Sequence, residues 1–420
     1  MNHTFPPFFI NLIFVLQSHL MNYSEIKSTC EKTHKVSRRV IDEFLIYYAA
    51  QKEKLEPKML REIKKYLTAY GEIDTPYMNL FMSEYIAHRI FKKNGLIKKY
   101  LNHSEIKLLI TEERNFLRFQ SEHPWRFSFA SIVKNPHPDF YEMKDLFTDE
   151  QYLLYSPGMT DTLKDMNPVT WFNLINFNGD CWQTFGNIVP LLSFDSDDIF
   201  FFATELNPDI ENDEMLSEEI EKNPWPFFML LAYCTMPVML IENYQNKFFQ
   251  SNDTLVTIPN ASFEKYFAVT TRENVTELIL TNKKMIAHAP VAYLDNTNNN
   301  LIRTAFTWKG FSELSNVLIK LGFKIEPTAD IAVSPGMHHA TQEIFDTNIF
   351  LNPYSYLFEG NEDISPEENE SINKFMDLIL PHINANTSPN LKLIAKQTGM
   401  ELDTVTSLWE MMKSKTDNLR

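Results

Sequence analysis

Glycine is what this chain does almost without: ten occur in 420 positions, where average usage of roughly 7% would give about 30. Loops that cradle a phosphate, and the tight strand-to-helix turns of dinucleotide-binding folds, need glycine because the backbone approaches the ligand with no Cβ in the way. The scarcity argues against a nucleotide-dependent enzyme, and no cofactor is expected. Phe, with 33 copies, supplies much of the core instead.

A chain of this length outgrows one ordinary core, so two to four domains are expected. Cys30, Cys181 and Cys234 are too few and too far apart for a disulfide framework, and no CxxC pair points to zinc. A reducing compartment fits, so the expected location is cytoplasmic. Export is the secondary reading, because Phe5 to Leu20 is apolar. That stretch is too short to span a bilayer, and it lacks the basic flank and small-residue cleavage site of a signal peptide. Residues 1–20 are read as an upstream extension or weak signal-like segment, with Met21 a plausible start. No membrane span is expected.

Charge is divided unevenly. Residues 21–120 carry 19 Lys and Arg against 13 Asp and Glu, while the rest of the chain carries 20 against 42. A basic segment on an acidic body either docks on its own acidic parts or presents a field to an anionic partner.

The hydropathy pattern predicts an α+β protein. Residues 21–120 read as a basic helical bundle, with Val40, Phe44, Tyr47 and Tyr48 on one stripe. Pro57 and Thr75 mark further helix starts. Residues 121–205 shift toward period two and read as an antiparallel β domain, a small barrel or sheet, with Asn178-Gly179 as a hairpin turn and a last strand at Ile199–Ala203. Residues 206–223 read as an acidic linker. Residues 224–358 read as an α+β domain, with strands at Val238–Ile241 and Thr254–Ile258, a polar loop tip at Asn296–Asn300, and a helix Phe311–Leu321 ending at Gly322. A second acidic linker, 359–370, precedes a small tri-helical module over 371–420.

In that module Ala395, Gly399, Val405 and Leu408 keep helix-turn-helix spacing, but Glu401 and Asp403 open the second helix, the wrong sign for facing phosphates. A protein-interaction module is the reading that remains. In the basic bundle Lys92, Lys93, Lys98 and Lys99 flank the turn at Gly95 and form a candidate nucleic-acid patch, set against the plainer reading of solvated helix lysines.

A third lead is chemical. Cys181 sits beside the Asn178-Gly179 turn and before Trp182, and His288 lies on a stretch that reaches Asp295. A thiolate nucleophile needs an imidazole in hydrogen-bond reach and a third group to orient the ring, roles open to Cys181, His288 and Asp295. The stretches around His288 and Leu301–Gly310 are similar to the His strand and aromatic strand of papain-like enzymes, departing where Thr304 and Ala305 replace the orienting Asn. His338, His339 and Glu343 give too few ligands for a metal site. Asp195, Asp197 and Asp198 lack the Gly and distal Glu of a calcium loop and read as a polar turn. No metal is expected.

The reading that best fits is a non-enzymatic binding or regulatory protein with a protein partner. Nucleic-acid association would run through the basic bundle, and no small-molecule ligand is inferable. The alternative is a cysteine-dependent hydrolase using Cys181 and His288.

Overall fold

The computed structural model describes residues 22–66, 71, 75–236, 238–259, 262–349, 351–358 and, within 371–410, positions 371, 374–376, 378, 379, 382, 387–402, 404–406 and 408–410. Two compact units emerge, Met1–Asn352 and Pro353–Arg420. The expected α+β class holds, with an N-terminal helical region, a closed five-stranded barrel and an antiparallel sheet.

Helix α1 (Tyr23–Ser37) starts at Asn22, whose side chain accepts from Glu25 N. It runs directly into eight π-helical residues, Arg38–Leu45, and then α2 (Ile46–Glu53). The wider π-turn shifts side chains out of α register, and here it leaves Val40, Ile41 and Leu45 buried while Arg38, Arg39 and Asp42 face out. Helices α3 (Leu55–Ile63), α4 (Thr75–Phe91) and α5 (Thr111–Glu122) complete the bundle.

The barrel follows: β1 (Arg126–His137), β2 (Phe140–Asp145), β3 (Gln151–Tyr155), a short helix α6 (Pro157–Thr162), β4 (Thr170–Phe177) and β5 (Trp182–Leu191). Its order is β1-β2-β3-β5-β4, closed by β1 on β4 and by a short parallel pairing of β3 with β5 at Leu154 and Trp182. Period-two alternation sorts the side chains. Ala130, Tyr141, Met143, Tyr152, Leu154, Trp171 and Ile175 fill the interior. Phe127, Phe129, Phe172 and Leu174 instead join the bundle's core, so helices and barrel share one apolar mass. The Asn178-Gly179 turn joins β4 to β5 as expected, with Asn178 N donating to Cys181 O.

Several expectations fail beyond the barrel. The strand expected at Ile199–Ala203 is inside a helix, α7 (Ser196–Leu206). The three aspartates before it are not a free turn: Asp195 caps the helix and exchanges hydrogen bonds with Asp198. The acidic linker at 206–223 contains a packed helix, α8 (Asp213–Lys222), capped by Asn212 and burying Leu216 and Ile220 one turn apart. Acidic residues there decorate a helix's outer face, which composition alone reads as a linker.

After the short α9 (Trp225–Met229) comes a hairpin of β6 (Leu240–Ile241) and β7 (Tyr244–Gln245), all that forms of the strand expected at Val238–Ile241. The sheet consists of β8 (Phe248–Thr254), β9 (Phe267–Arg272), β10 (Val275–Leu280), β11 (Val291–Asp295), β12 (Asn300–Ala305) and β13 (Ile331–Val333), in the order β13-β8-β12-β11-β10-β9. β8 ends where a strand was expected to begin, at Thr254. Helix α10 (Trp308–Lys320) lays Leu314, Val317 and Leu318 on Leu278, Leu294 and Leu301 and stops before Gly322, as read from the sequence. Helix α11 (Pro335–Phe345) joins the bundle–barrel core through Met337, Ala340 and Ile344.

In the second unit, α12 (Leu391–Thr398) is capped by Asn390 and ends at Gly399. Phe375, Ile379, Ile394, Val405 and Trp409 form its small core. Residues 1–20, the linker 359–370 and Asp403 lie outside the described residues. Among the described residues no helix is long and apolar enough to cross a membrane.

Candidate functional site

Helix α1 lies across the barrel with Tyr23, Ile26 and Cys30 against Phe140 of β2, Leu153 and Tyr155 of β3, and Cys181 of the β4–β5 turn. Lys27 pairs with Asp139 at 3.1 Å and Tyr23 stacks on His137. The outer face of β2 and β3 is thus covered by α1.

Within the seam the thiols of Cys30 and Cys181 stand 3.5 Å apart, both buried and both free. Asn178 organises them. Its Oδ1 accepts from the backbone N–H groups of Asp180 and Cys181, which fixes the side chain. Its Nδ2 then points at Cys30 Sγ (3.2 Å), Cys181 Sγ (3.7 Å) and Gln183 Oε1 (2.9 Å). Gln183 Nε2 donates to the carbonyl of Cys30, tying α1 to β5. The hydrogen bond from Cys181, helped by Asn178, holds the Cys30 thiol below its ordinary range. Cys181, facing that sulfur and buried, is pushed far up.

The structure therefore does not bring Cys181 and His288 together. His288, in a turn of 3-10 helix at Lys283–His288, has both ring nitrogens engaged elsewhere. Nδ1 lies 2.7 Å from Thr307 Oγ1 and Nε2 lies 3.2 Å from Glu242 Oε2. A carboxylate opposite Nε2 requires an N–H there. Thr307 also accepts from Gly310 N as the N-cap of α10, so one hydroxyl serves ring and helix. Gly310 is needed because a Cβ would stand 2.7 Å from His288 Cβ. Asp295 accepts from Thr297 N, Asn298 N and Asn298 Nδ2, closing the β11–β12 turn; the groups orienting His288 are Thr307 and Glu242.

The four lysines divide. Lys92 Nζ donates to Glu221 O, and Lys99 pairs with Glu53 at 2.5 Å. With Arg89 donating to Lys222 O, the basic bundle caps the last carbonyls of the acidic helix α8. Lys93 and Lys98 stay exposed on either side of the Gly95 turn.

The continuous helix of α1, the π-helical turn and α2, together with α4, the start of α6 and β5, lines a groove of about 490 Å³. His34, Ser37, Asp42, Ser83 and Thr184 supply its polar lining, and Tyr47 and Leu80 stand on its rim, 70% and 52% exposed. Below it Glu84 is fully buried. Its carboxyl accepts from Asn187 N, and burial drives it well above the carboxylate range. Gly186 has φ +81° and leaves the space of its missing Cβ to that carboxyl, so no other residue fits there.

The remaining polar clusters are structural. His338 Nε2 donates to Ile349 O, and His339 lies 4.0 Å from Glu343 across one helix turn. Lys247, buried, pairs with Asp195 at 2.5 Å. Asp198 beside them is pushed up to about 7 by burial. Among the described residues no group of three or more His, Cys, Asp and Glu is placed to hold a metal.

The sequence carries no signal for Cys30 as the partner of Cys181, 151 positions away, nor for the π-turn. No family model, no curated protein and no solved structure matches this chain.

Proposed function

We propose that this chain is a binding or regulatory protein that recognises a protein partner through the groove between the π-helical turn and β5. The observation that supports this is the rim. Tyr47 and Leu80 are two large, largely exposed residues standing together over a groove of mixed polar and apolar lining. Exposed tyrosine beside apolar surface is the composition of interaction hot spots, and π-turns concentrate at functional positions. The open, partly polar lining suits a protruding side chain of a partner.

The test places a photo-crosslinking phenylalanine at Tyr47 in the full chain within its native cell. A discrete protein adduct, reduced about tenfold by Leu80→Ala as expected for loss of a hot-spot contact, supports the reading. Adducts no different from those formed by the same residue at Tyr356, which is 69% exposed, overturn it. The nucleic-acid version of the function rests on Lys93 and Lys98. It predicts binding to generic DNA or RNA that weakens steeply with salt and flattens in the Lys93→Gln/Lys98→Gln variant.

A further inference from the structure

We infer that Cys30 and Cys181 form an oxidisable dithiol, a modification site that takes a small two-electron oxidant of the peroxide class and fastens α1 to the barrel by a reversible disulfide. The inference rests on the seam itself and holds whether or not the groove binds a partner.

The geometry supplies what the chemistry needs. The sulfurs are already 3.5 Å apart, so bonding at about 2.05 Å asks for a shift of roughly 1.5 Å. Rotation of the two side chains can provide much of that. One sulfur faces a side-chain amide donor, Asn178 Nδ2 at 3.2 Å, which stabilises a thiolate on Cys30. Two backbone N–H groups fix that amide from the other side, so the donor is aimed before any oxidant arrives. The assignment of roles follows. Cys30 is the attacking sulfur, and Cys181, whose thiol burial and the neighbouring sulfur keep protonated, is the resolving one. Cys234 provides the contrast within the same molecule: it is buried, and its sulfur donates to Leu231 O, with no second thiol hydrogen-bonded to it among the described residues.

The steps balance with hydrogen peroxide as oxidant. The Cys30 thiolate attacks one peroxide oxygen, the O–O bond breaks, and hydroxide leaves and takes a proton to become water, giving a sulfenic acid on Cys30. The Cys181 sulfur then attacks the Cys30 sulfur. The S–O bond breaks, the Cys181 proton goes to the departing hydroxide, and a second water leaves. Two thiols lose two electrons and peroxide is reduced to two waters.

Burial sets the rate. Cys30 is fully covered and Cys181 nearly so, which means peroxide enters when α1 lifts from β2 and β3. The Lys27–Asp139 ion pair and the Tyr23–His137 stack hold that helix down at its first turns.

The experiment treats the full chain with hydrogen peroxide, blocks remaining thiols with N-ethylmaleimide and maps peptides by mass spectrometry. The expected result is one intramolecular Cys30–Cys181 cross-link with Cys234 still alkylated, reversed by dithiothreitol. Lys27→Ala, which loosens α1 at a part-buried pair, is expected to speed cross-linking several-fold. In Cys181→Ser the sulfenic acid accumulates on Cys30 and is trapped by dimedone; in Cys30→Ser no such adduct forms on Cys181. The disulfide is expected to make the chain between Asn22 and Ser37 resistant to limited proteolysis. Failure of the wild-type chain to cross-link, or linkage spread over all three cysteines, overturns the proposal without reference to either variant.

Discussion

Two buried histidines, one in each half of the larger unit, solve the same problem to different degrees. His88 of α4 and His288 before β11 are both fully covered, and each directs Nε2 at a glutamate, at 2.7 Å for Glu221 and 3.2 Å for Glu242. The difference is at the other nitrogen. His288 Nδ1 meets Thr307, whereas His88 Nδ1 has no hydrogen-bond partner. Burial accordingly holds His88 below its ordinary value of 6.5 in spite of Glu221. One seam is closed by a complete relay through helix cap, ring and hairpin; the other tolerates an orphan nitrogen because Glu221 also accepts Phe127 N and so joins α8 to β1.

If this contrast is right, the largest effect comes from Glu221→Ala. It strands the His88 Nε2–H and the Phe127 N–H together and should cost about 4 kcal/mol, read as a lowered urea midpoint at unchanged slope. Thr307→Val removes the α10 cap and the Nδ1 partner at once and should cost about 2 kcal/mol. That brings the His288 seam down to the incomplete state of the other. The third effect depends on pH. A histidine with a depressed folded pKa binds fewer protons folded than unfolded, so its contribution is intact above about pH 6.5 and drains away as pH falls from there to the folded value. His88→Gln, which keeps a donor for Glu221, should flatten the stability–pH curve below pH 6.5; an unchanged curve would mean that another group carries the acid limb. Smallest is Glu242→Ala. Its carboxylate is half exposed and water replaces it at Nε2, so the midpoint should stay within experimental scatter.

The same contrast shows what the sequence could reveal. Local signals were legible: Asn178-Gly179 turns the chain where it was expected to, α10 ends at Gly322, and Gly399 ends α12. Ile199–Ala203 reads as a strand because an aromatic run shows no period that separates helix from strand, yet it is helical. The evidence for a helix lay just before it, in Asp195 and Asp198 at capping-box spacing. The helix at Asp213–Lys222 is legible in Leu216 and Ile220, but its acidic composition matches that of a linker. What no local pattern could supply is pairing at long range. Cys30 with Cys181, His88 with Glu221 and His288 with Glu242 are set by how layers stack, and each residue looks ordinary where it stands. The groove was hidden for the same reason, since its walls come from four separate stretches of chain.

The barrel's order in the chain has a consequence for how the protein is made. α1 is synthesised first among the described elements, yet the surface it covers is incomplete until the β4–β5 turn at Cys181 has been added, 151 positions later. At about 5–20 residues per second this leaves roughly 8–30 s in which a nascent helix carries Tyr23, Ile26 and Cys30 without the complete surface that buries them. The ribosome-bound chain thus passes through a stage in which this apolar, thiol-bearing helix is still uncovered.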